Sequence, residues 1–167
     1  MPLYNVIKER GVREACPRCG AVAGGRPVLS EATRPVHFSL SASEHLVLIG
    51  LASAQVGVDV EAVPSSRAVS EASELLHPAE REELLAVEPD LRRVVFTRLW
   101  SRKEAYLKGI GVGLGHGLIG EYLGTRAQEA APDGWTLLDV PAPPGFLASA
   151  AVRTGPPRPS RPGHRTS

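Results

Sequence analysis

The chain is poor in cysteine and in long apolar runs, and its charges nearly cancel; each shortage excludes a class of protein. Its 167 residues include two cysteines, Cys16 and Cys19, too few for the disulfide framework of a small secreted domain. The longest apolar run, Leu46–Ala52, is far shorter than the roughly 20 residues that a helix needs to cross a bilayer. A net charge of +1 creates no strong field toward nucleic acid or a membrane surface.

We expect no secretory signal, because no basic segment followed by an apolar one is visible near residue 1. With 43% hydrophobic residues, a chain of this length is expected to form one compact domain with its own core, in the cytoplasm. Glycine (17) and proline (15) are more frequent than usual. They concentrate at the end of the chain, where residues 154–167 are predicted to be a disordered tail.

Short apolar and β-branched runs bounded by turn residues predict a series of strands. The predicted strands are residues 37–41, 46–52, 56–60, 135–140 and 146–152. The first three follow one another closely, so we expect them to form an antiparallel meander.

Helix signals occupy the segment between the third and fourth predicted strands. The predicted helices are residues 65–76, a second helix that begins at Pro78, and residues 89–108. Core-facing spacing in the third helix is kept by Leu91, Val95, Leu99 and Tyr106. Gly109 is its expected C-terminal stop. This order of strands and helices predicts an α+β fold.

Two carboxylates, Asp59 and Glu61, interrupt the apolar strand at 56–60 and its continuation. Alternation along a strand places both side chains on one face, roughly 7 Å apart. Two like charges at that distance repel by about 2 kcal/mol at an effective dielectric near 20, so a partly buried pair favours a bound cation. A solvated strand edge is the alternative interpretation.

A second cluster lies in the third predicted helix, where Trp100, Glu104 and Lys108 recur every fourth residue and share one face. Lys103 and Lys108 are two of only three lysines, whereas arginine supplies the remaining positive side chains. A lysine in such a chain indicates a need for a compact ammonium, as a phosphate site has. A metal held by Glu104 and the two strand acids would complete that site, but Glu104 and Lys108 could also form an ordinary i,i+4 ion pair.

The two motifs, Gly-Val-Asp-Val-Glu and Trp-Ser-Arg-Lys-Glu-Ala-Tyr-Leu-Lys, in this order and separation, resemble the 4′-phosphopantetheinyl transferase superfamily of the surfactin-synthetase type. Matching elements flank them at Gly25-Arg26-Pro27, at the run 37–52, at the glycine loop 109–114 and at the strands within 134–152. The resemblance therefore covers residues 16–152. It implies the family's α+β fold, with an antiparallel sheet packed against helices.

The family consists of two pseudo-symmetric lobes, and the resemblance divides this chain accordingly. Residues 56–153 match a complete C-terminal lobe with the metal and catalytic motifs, and residues 1–55 match the remainder of an N-terminal lobe. The opening strand and helix of that first lobe have no counterpart in residues 1–15. We therefore expect one complete lobe preceded by the end of another.

The resemblance implies a holo-[acyl-carrier-protein] synthase type of activity: Mg²⁺-dependent transfer of 4′-phosphopantetheine from coenzyme A to a serine of an apo acyl or peptidyl carrier protein, with release of 3′,5′-ADP. It implies that Asp59, Glu61 and Glu104 bind the metal, that Glu104 is also the base, and that Lys108 neutralises the departing phosphate. The residues implied on the coenzyme A side are Gly25, Arg26, Pro27, His37, Ser41, Lys103 and Lys108. The implied partners are coenzyme A and a carrier protein, with neither nucleic acid nor membrane.

Ala42 departs from the family pattern, because the family has a histidine there that helps to hold the 3′-phosphate. Arg26, His37 or Ser41 would have to serve instead. This departure and the shortened first lobe favour an alternative, a catalytically silent module that binds coenzyme A or a carrier protein.

Cys16 and Cys19 have the spacing of a zinc knuckle, which gives a third interpretation, a zinc-binding interaction protein. A tetrahedral zinc site needs two further ligands, such as His37 and His45, and this spacing is no recognised finger. Two reduced thiols in a loop are the simpler prediction.

The predicted hairpin 37–52 is apolar on both faces. One face carries Val47, Ile49 and Leu51, and such a ribbon requires cover on each side. We therefore expect a chain that is marginally stable or self-associating.

Overall fold

A computed structural model describes residues 12–15, 26–29, 36–112, 118–126 and 131–155. The predictions for Cys16, Cys19, Gly25 and nearly all of the 154–167 tail lie outside these residues. Residues 113 and 114 of the predicted glycine loop, and the glycines at 115 and 117 that follow it, lie outside them as well.

The described residues form seven strands: β1 (Val12–Ala15), β2 (Arg26–Leu29), β3 (His37–Ser43), β4 (Leu46–Ala52), β5 (Val56–Ala62), β6 (Trp135–Val140) and β7 (Phe146–Arg153). β1 pairs with β2 and β3 pairs with β4, each as an antiparallel ribbon. β7 is the middle strand of a third antiparallel sheet, between β5 and β6. The predicted meander is therefore wrong at its third strand, because β5 pairs with the distant β7 instead of β4.

Three helices follow β5: α1 (Ser66–Ser73), α2 (Pro78–Ala86) and α3 (Pro89–Ile110). The His77 imidazole caps α2, since its Nδ1 accepts a hydrogen bond from the Ala79 N–H at 3.2 Å. Gly111 caps the C-terminus of α3, and its φ of 76° lies in the left-handed region that glycine adopts readily. The predicted stop at Gly109 is thus wrong by two residues.

The core lies between α3 and the three-stranded sheet. Its buried apolar residues include Val69, Leu76, Leu84, Phe96, Leu99, Ala105, Leu107, Leu123, Trp135 and Ala151. Leu99 and Tyr106 face this core as predicted, but Leu91 does not, because its side chain is 58% exposed near the start of α3. The mixed architecture of helices on antiparallel strands confirms the predicted α+β fold class.

Gly57 brings the backbones of β5 and α3 into direct contact. A Cβ atom at this position would lie 1.9 Å from the Ala105 carbonyl oxygen and 2.3 Å from the Gly109 nitrogen. Any side chain at Gly57 would therefore push α3 away from the strand. The contact places the last turns of α3 directly over β5.

The β3–β4 ribbon packs one face on β5; on the other face Phe38 is buried, and the remaining apolar side chains are partly or largely exposed. Alternate serines of β3 face β5, where Ser39 Oγ accepts a hydrogen bond from the Val58 N–H at 3.0 Å. On the opposite face Val47 and Leu51 are exposed, Leu51 by 70%. An apolar exposed face agrees with the need for cover that the sequence indicates, and self-association stays a prediction.

None of the described helices combines the length and apolar character that crossing a membrane requires. The cytoplasmic location and the absence of nucleic-acid partners stay predictions.

Candidate active site

The candidate site lies where β5, the last turns of α3 and β3 meet. Asp59 of β5 is buried, with 2% of its surface exposed. Its Oδ1 accepts hydrogen bonds from Lys108 Nζ at 2.6 Å and from Ser41 Oγ at 2.8 Å. Lys108 Nζ also donates to Ser41 Oγ at 3.0 Å. Lys108 therefore pairs with Asp59 across the site rather than along its own helix with Glu104.

Two carboxylate oxygens at the site have no hydrogen-bond partner among the residues that the structure describes. They are Asp59 Oδ2 and Glu104 Oε1, both buried. Glu104, on α3, is only 6% exposed. Buried polar atoms in folded proteins are nearly always paired, so unpaired acceptors on two carboxylates close enough to repel each other call for an explanation. A bound cation would supply one, because it can accept both lone pairs at once.

Burial raises the pKa values of the three acids, and neighbouring carboxylates add to the effect at Glu104 and Glu61. Burial, reinforced by the Asp59 carboxylate, raises the pKa of Glu104 to about 7. Burial likewise raises the pKa of Asp59, although the Lys108 ammonium offsets part of the effect. Burial and the charge of Asp59 also raise the pKa of Glu61 above its ordinary value. The acids therefore form one coupled group that a cation would relieve.

Glu61 is the outermost acid of the group, half-buried near the end of β5. The Ser43 side chain donates a hydrogen bond that favours its charged form. Within the described ranges, no three acidic, histidine or cysteine side chains have the geometry to hold a metal ion as they stand. The structure thus brings the three predicted metal ligands into one neighbourhood without closing them into a preformed centre.

Lys103 lies in a different part of the molecule from the site. Its ammonium, 1% exposed, donates to Glu80 Oε2 of α2 at 2.6 Å and to the Glu121 carbonyl oxygen. Burial lowers the pKa of Lys103, while the Glu80 carboxylate opposes the effect. No local sequence pattern indicates this pair, because its members are 23 residues apart on separate helices.

The residues predicted on the coenzyme A side are only partly described. Arg26 and Pro27 lie in β2, opposite Ala15 and Glu14 of β1. His37 begins β3, opposite Ala52 of β4. Of the residues predicted on this side, Ser41 and Lys108 are placed in the candidate site by their hydrogen bonds with each other and with Asp59.

A cavity of about 170 Å³ adjoins Glu61. Its wall combines the acid with small and aromatic side chains: Ala62, Pro64, Ala68, Ala72, Phe96, Thr97 and Trp100. Trp100, predicted on the same helical face as Glu104, packs on Phe96 with ring centroids 5.5 Å apart. The cavity therefore offers a mainly apolar slot next to the acids.

Comparison with known proteins identifies relatives of one kind. The family model of the 4′-phosphopantetheinyl transferase superfamily matches residues 55–129, which include both motifs of the site. The chain is 32% identical over 136 residues to the 4′-phosphopantetheinyl transferase HetI of Nostoc sp., which covers 77% of this chain and 57% of HetI. It is 30% identical over 107 residues to a 4′-phosphopantetheinyl transferase of Bacillus subtilis, covering 64% of this chain and 47% of that protein.

A third relative is the 4′-phosphopantetheinyl transferase psf-1 of Bacillus pumilus, 34% identical over 95 residues, which cover 56% of this chain and 40% of psf-1. The chain thus spans about half the length of the curated relatives it matches. The acids of β5 and α3 and Lys108 all fall inside the segment that the family model matches.

Proposed function

Since the chain belongs to the 4′-phosphopantetheinyl transferase superfamily, we propose that it transfers 4′-phosphopantetheine from coenzyme A to a serine of an apo carrier protein. The product nucleotide is 3′,5′-ADP. The observation that carries the proposal is the pair of buried, unpaired carboxylate oxygens on Asp59 and Glu104 beside the Lys108 ammonium. Such a site suits a divalent cation together with phosphate groups.

We assign the cation to Asp59 Oδ2, Glu104 Oε1 and the Glu61 carboxylate. Carboxylate oxygens are the hard ligands that Mg²⁺ prefers, and a Mg²⁺ site needs few of them when phosphate and water complete the shell. When bound, Mg²⁺ would neutralise negative charge on the diphosphate of coenzyme A. The raised pKa values of all three acids support the assignment, since burial disfavours each charged carboxylate more than the single Lys108 ammonium compensates.

The protein's own residues account for proton transfer and charge. The carrier serine oxygen bonds to the β-phosphorus of coenzyme A as the bond from that phosphorus to the bridging oxygen breaks, and the bridging oxygen leaves on 3′,5′-ADP. Glu104 takes the serine proton as the general base. The Lys108 ammonium, partly exposed beside Asp59, stabilises charge on the departing phosphate.

We assign the phosphopantetheine arm of coenzyme A to the cavity beside Glu61. The apolar walls of this cavity suit a narrow chain of methylenes and amides. Arg26, with Gly25, Pro27 and His37, is proposed to hold the adenine and 3′-phosphate end. Lys103 is left out of this proposal, since its ammonium is fully engaged by Glu80 in the interior.

The direct test is the intact mass of an apo carrier protein incubated with this chain, coenzyme A and Mg²⁺. We expect a mass gain of one phosphopantetheine, and none when EDTA replaces Mg²⁺. Glu104→Gln should abolish the gain, whereas Glu82→Gln, which alters an exposed acid of α2, should leave it intact. A carrier whose mass is unchanged at stoichiometric enzyme would refute the transferase.

A silent binding module is the second candidate, favoured by one observation: Asp59 is already paired with Lys108, and the described acids do not form a closed metal site. Such a module would bind coenzyme A or the carrier without turnover. Calorimetric binding of coenzyme A with no mass change on the carrier would establish it. Turnover at any metal concentration would exclude it.

A further inference from the structure

Strand β3 presents three alternate serines to β5, and the three do different things. Ser39 Oγ accepts the Val58 N–H at 3.0 Å, and Ser43 Oγ accepts the Ala62 N–H at 3.1 Å. These two hydroxyls cap donors on the edge of β5 that no strand pairs in the described sheet. Ser41, between them, donates to the Asp59 carboxylate, and Ser43 in addition donates to the carboxylate of Glu61.

Ser41 closes a triangle with Asp59 and Lys108. Its hydroxyl donates to Asp59 Oδ1 at 2.8 Å and accepts from Lys108 Nζ at 3.0 Å, while Nζ donates to the same Oδ1 at 2.6 Å. A hydroxyl has a single proton to donate, and here that proton is committed to the carboxylate. Ser41 is also buried, so it has little surface to offer a phosphate.

The triangle has a consequence for Asp59. With two donors on Oδ1, the carboxylate cannot rotate without breaking both hydrogen bonds, so Oδ2 is fixed as the acceptor that stays unpaired. We propose that Ser41 is a positioning residue: it holds Asp59 so that Oδ2 faces the cation, and it is not a ligand of coenzyme A. The inference rests on the proposed function, because that function supplies the cation.

The test compares Ser41→Ala with Ser39→Ala, its matched control on the same strand and face. The readout is the affinity of the purified chain for Mn²⁺ alone, measured by calorimetry or by electron paramagnetic resonance. Loss of a hydrogen-bond partner behind a metal ligand typically costs about tenfold or more in affinity. We expect that loss for Ser41→Ala, and a change within about twofold for Ser39→Ala, which touches only backbone.

A second measurement separates positioning from ligand binding. In EDTA, Ser41→Ala should bind adenosine 3′,5′-bisphosphate as tightly as the parent chain. A bisphosphate affinity that falls while the Mn²⁺ affinity holds would overturn the inference and make Ser41 a phosphate ligand. Ser41→Thr, which keeps the hydroxyl on a strand that tolerates β-branching, should restore Mn²⁺ binding.

One more variant at Ser41 separates a folding defect from a loss of metal binding. Ser41→Cys preserves volume but weakens the hydrogen bond, so an intermediate Mn²⁺ affinity is expected even if the alanine variant fails to fold. An unchanged Mn²⁺ affinity in Ser41→Cys and Ser41→Ala would overturn the inference alone. A parent chain that binds no Mn²⁺ would overturn both this inference and the proposed metal site.

Discussion

Helix α3 carries two lysines five residues apart, and each pairs with a buried carboxylate at 2.6 Å, yet the two pairs differ in what surrounds them. The Lys103 and Glu80 side chains are 1% and 0% exposed. The Lys108 side chain is 33% exposed, and its partner Asp59 is buried. One pair is therefore sealed inside the protein, and the other opens to solvent through its lysine.

The two pairs also differ in how many oxygens of the carboxylate accept hydrogen bonds. Glu80 accepts from Lys103 and from the His77 N–H on one oxygen, and from the Leu123 N–H on the other. The Asp59 carboxylate has one bonded oxygen and one unpaired oxygen. A carboxylate with every acceptor in use serves the fold, and one with an acceptor to spare is available for a ligand.

The largest expected effect concerns the site of the open pair, where Glu104 lies beside Asp59 and Lys108. Glu104→Gln or Asp59→Ala should reduce transferase activity by about a thousandfold, because the base or a metal ligand is removed, while circular dichroism stays that of the parent. Rates on an apo carrier protein provide the measurement. Near-parent activity in either variant would break the comparison, since the open pair would then be as purely structural as the sealed one.

Breaking the sealed pair, Lys103 and Glu80, should reduce the stability of the fold. Lys103→Met leaves the Glu80 charge buried without its partner and should reduce the free energy of unfolding by about 3 to 5 kcal/mol, as seen when buried pairs are broken. Urea denaturation measures this loss. The double variant Lys103→Met with Glu80→Gln should recover part of it, and a fully stable single variant would contradict the assignment.

A smaller effect is expected from pH. Glu104 has a pKa of about 7 in the folded chain and an ordinary one when unfolded, so its contribution to stability is intact below about pH 4.5 and declines as the pH rises toward 7 and above. Glu104→Gln removes that penalty and should raise stability at pH 8 by roughly 2 to 3 kcal/mol, with little change at pH 4.

Glu83→Gln is the control for this measurement. Burial alone would raise the pKa of Glu83, but hydrogen bonds from Tyr122 and Thr125 outweigh it and lower the pKa. Its charged form therefore stabilises the fold above its unfolded pKa, and the variant should melt earlier at pH 8. Melting temperatures of both variants that shift in the same direction at pH 8 would contradict the charge assignments.

The smallest expected effect tests whether the cavity beside Glu61 belongs to the same site as the open pair. Ala68→Leu narrows the cavity beside Glu61 without touching a charged residue. We expect the KM for coenzyme A to rise about tenfold, with the Mn²⁺ affinity unchanged. Ala86→Leu, on the exposed end of α2, is the control. An unaltered KM would place the coenzyme A arm elsewhere.

Local sequence patterns predicted much of this fold. The strand that carries Asp59 and the helix that carries Glu104 and Lys108 could be predicted because each has a strong local period and recognisable ends. The pairing of β5 with β7 could not, because partners such as Asp59 and Ser149 are distant in sequence and no turn between them fixes the register.

The candidate site was predictable to the same extent. Its acids were apparent from their spacing, but the different fates of Lys103 and Lys108 depend on which helix or strand packs opposite each, and one sequence does not contain that information. Ser41 shows the same gap. Its residue type fits a phosphate ligand, and only the neighbouring Asp59 reveals that its proton is already committed.

The backbone contact at Gly57 affects which metal ion the site prefers. Where side chains separate a helix from a sheet, repacking can adjust the gap, but here backbone meets backbone and the gap has a fixed lower bound. The backbone contact therefore fixes the distance between the acids of β5 and the acid of α3. A rigid spacing discriminates between ions by radius, so we expect this chain to prefer Mg²⁺ to the larger Ca²⁺. Gly57→Ala should push α3 away from β5 and so weaken the preference for Mg²⁺ when Mg²⁺ and Ca²⁺ compete for the site.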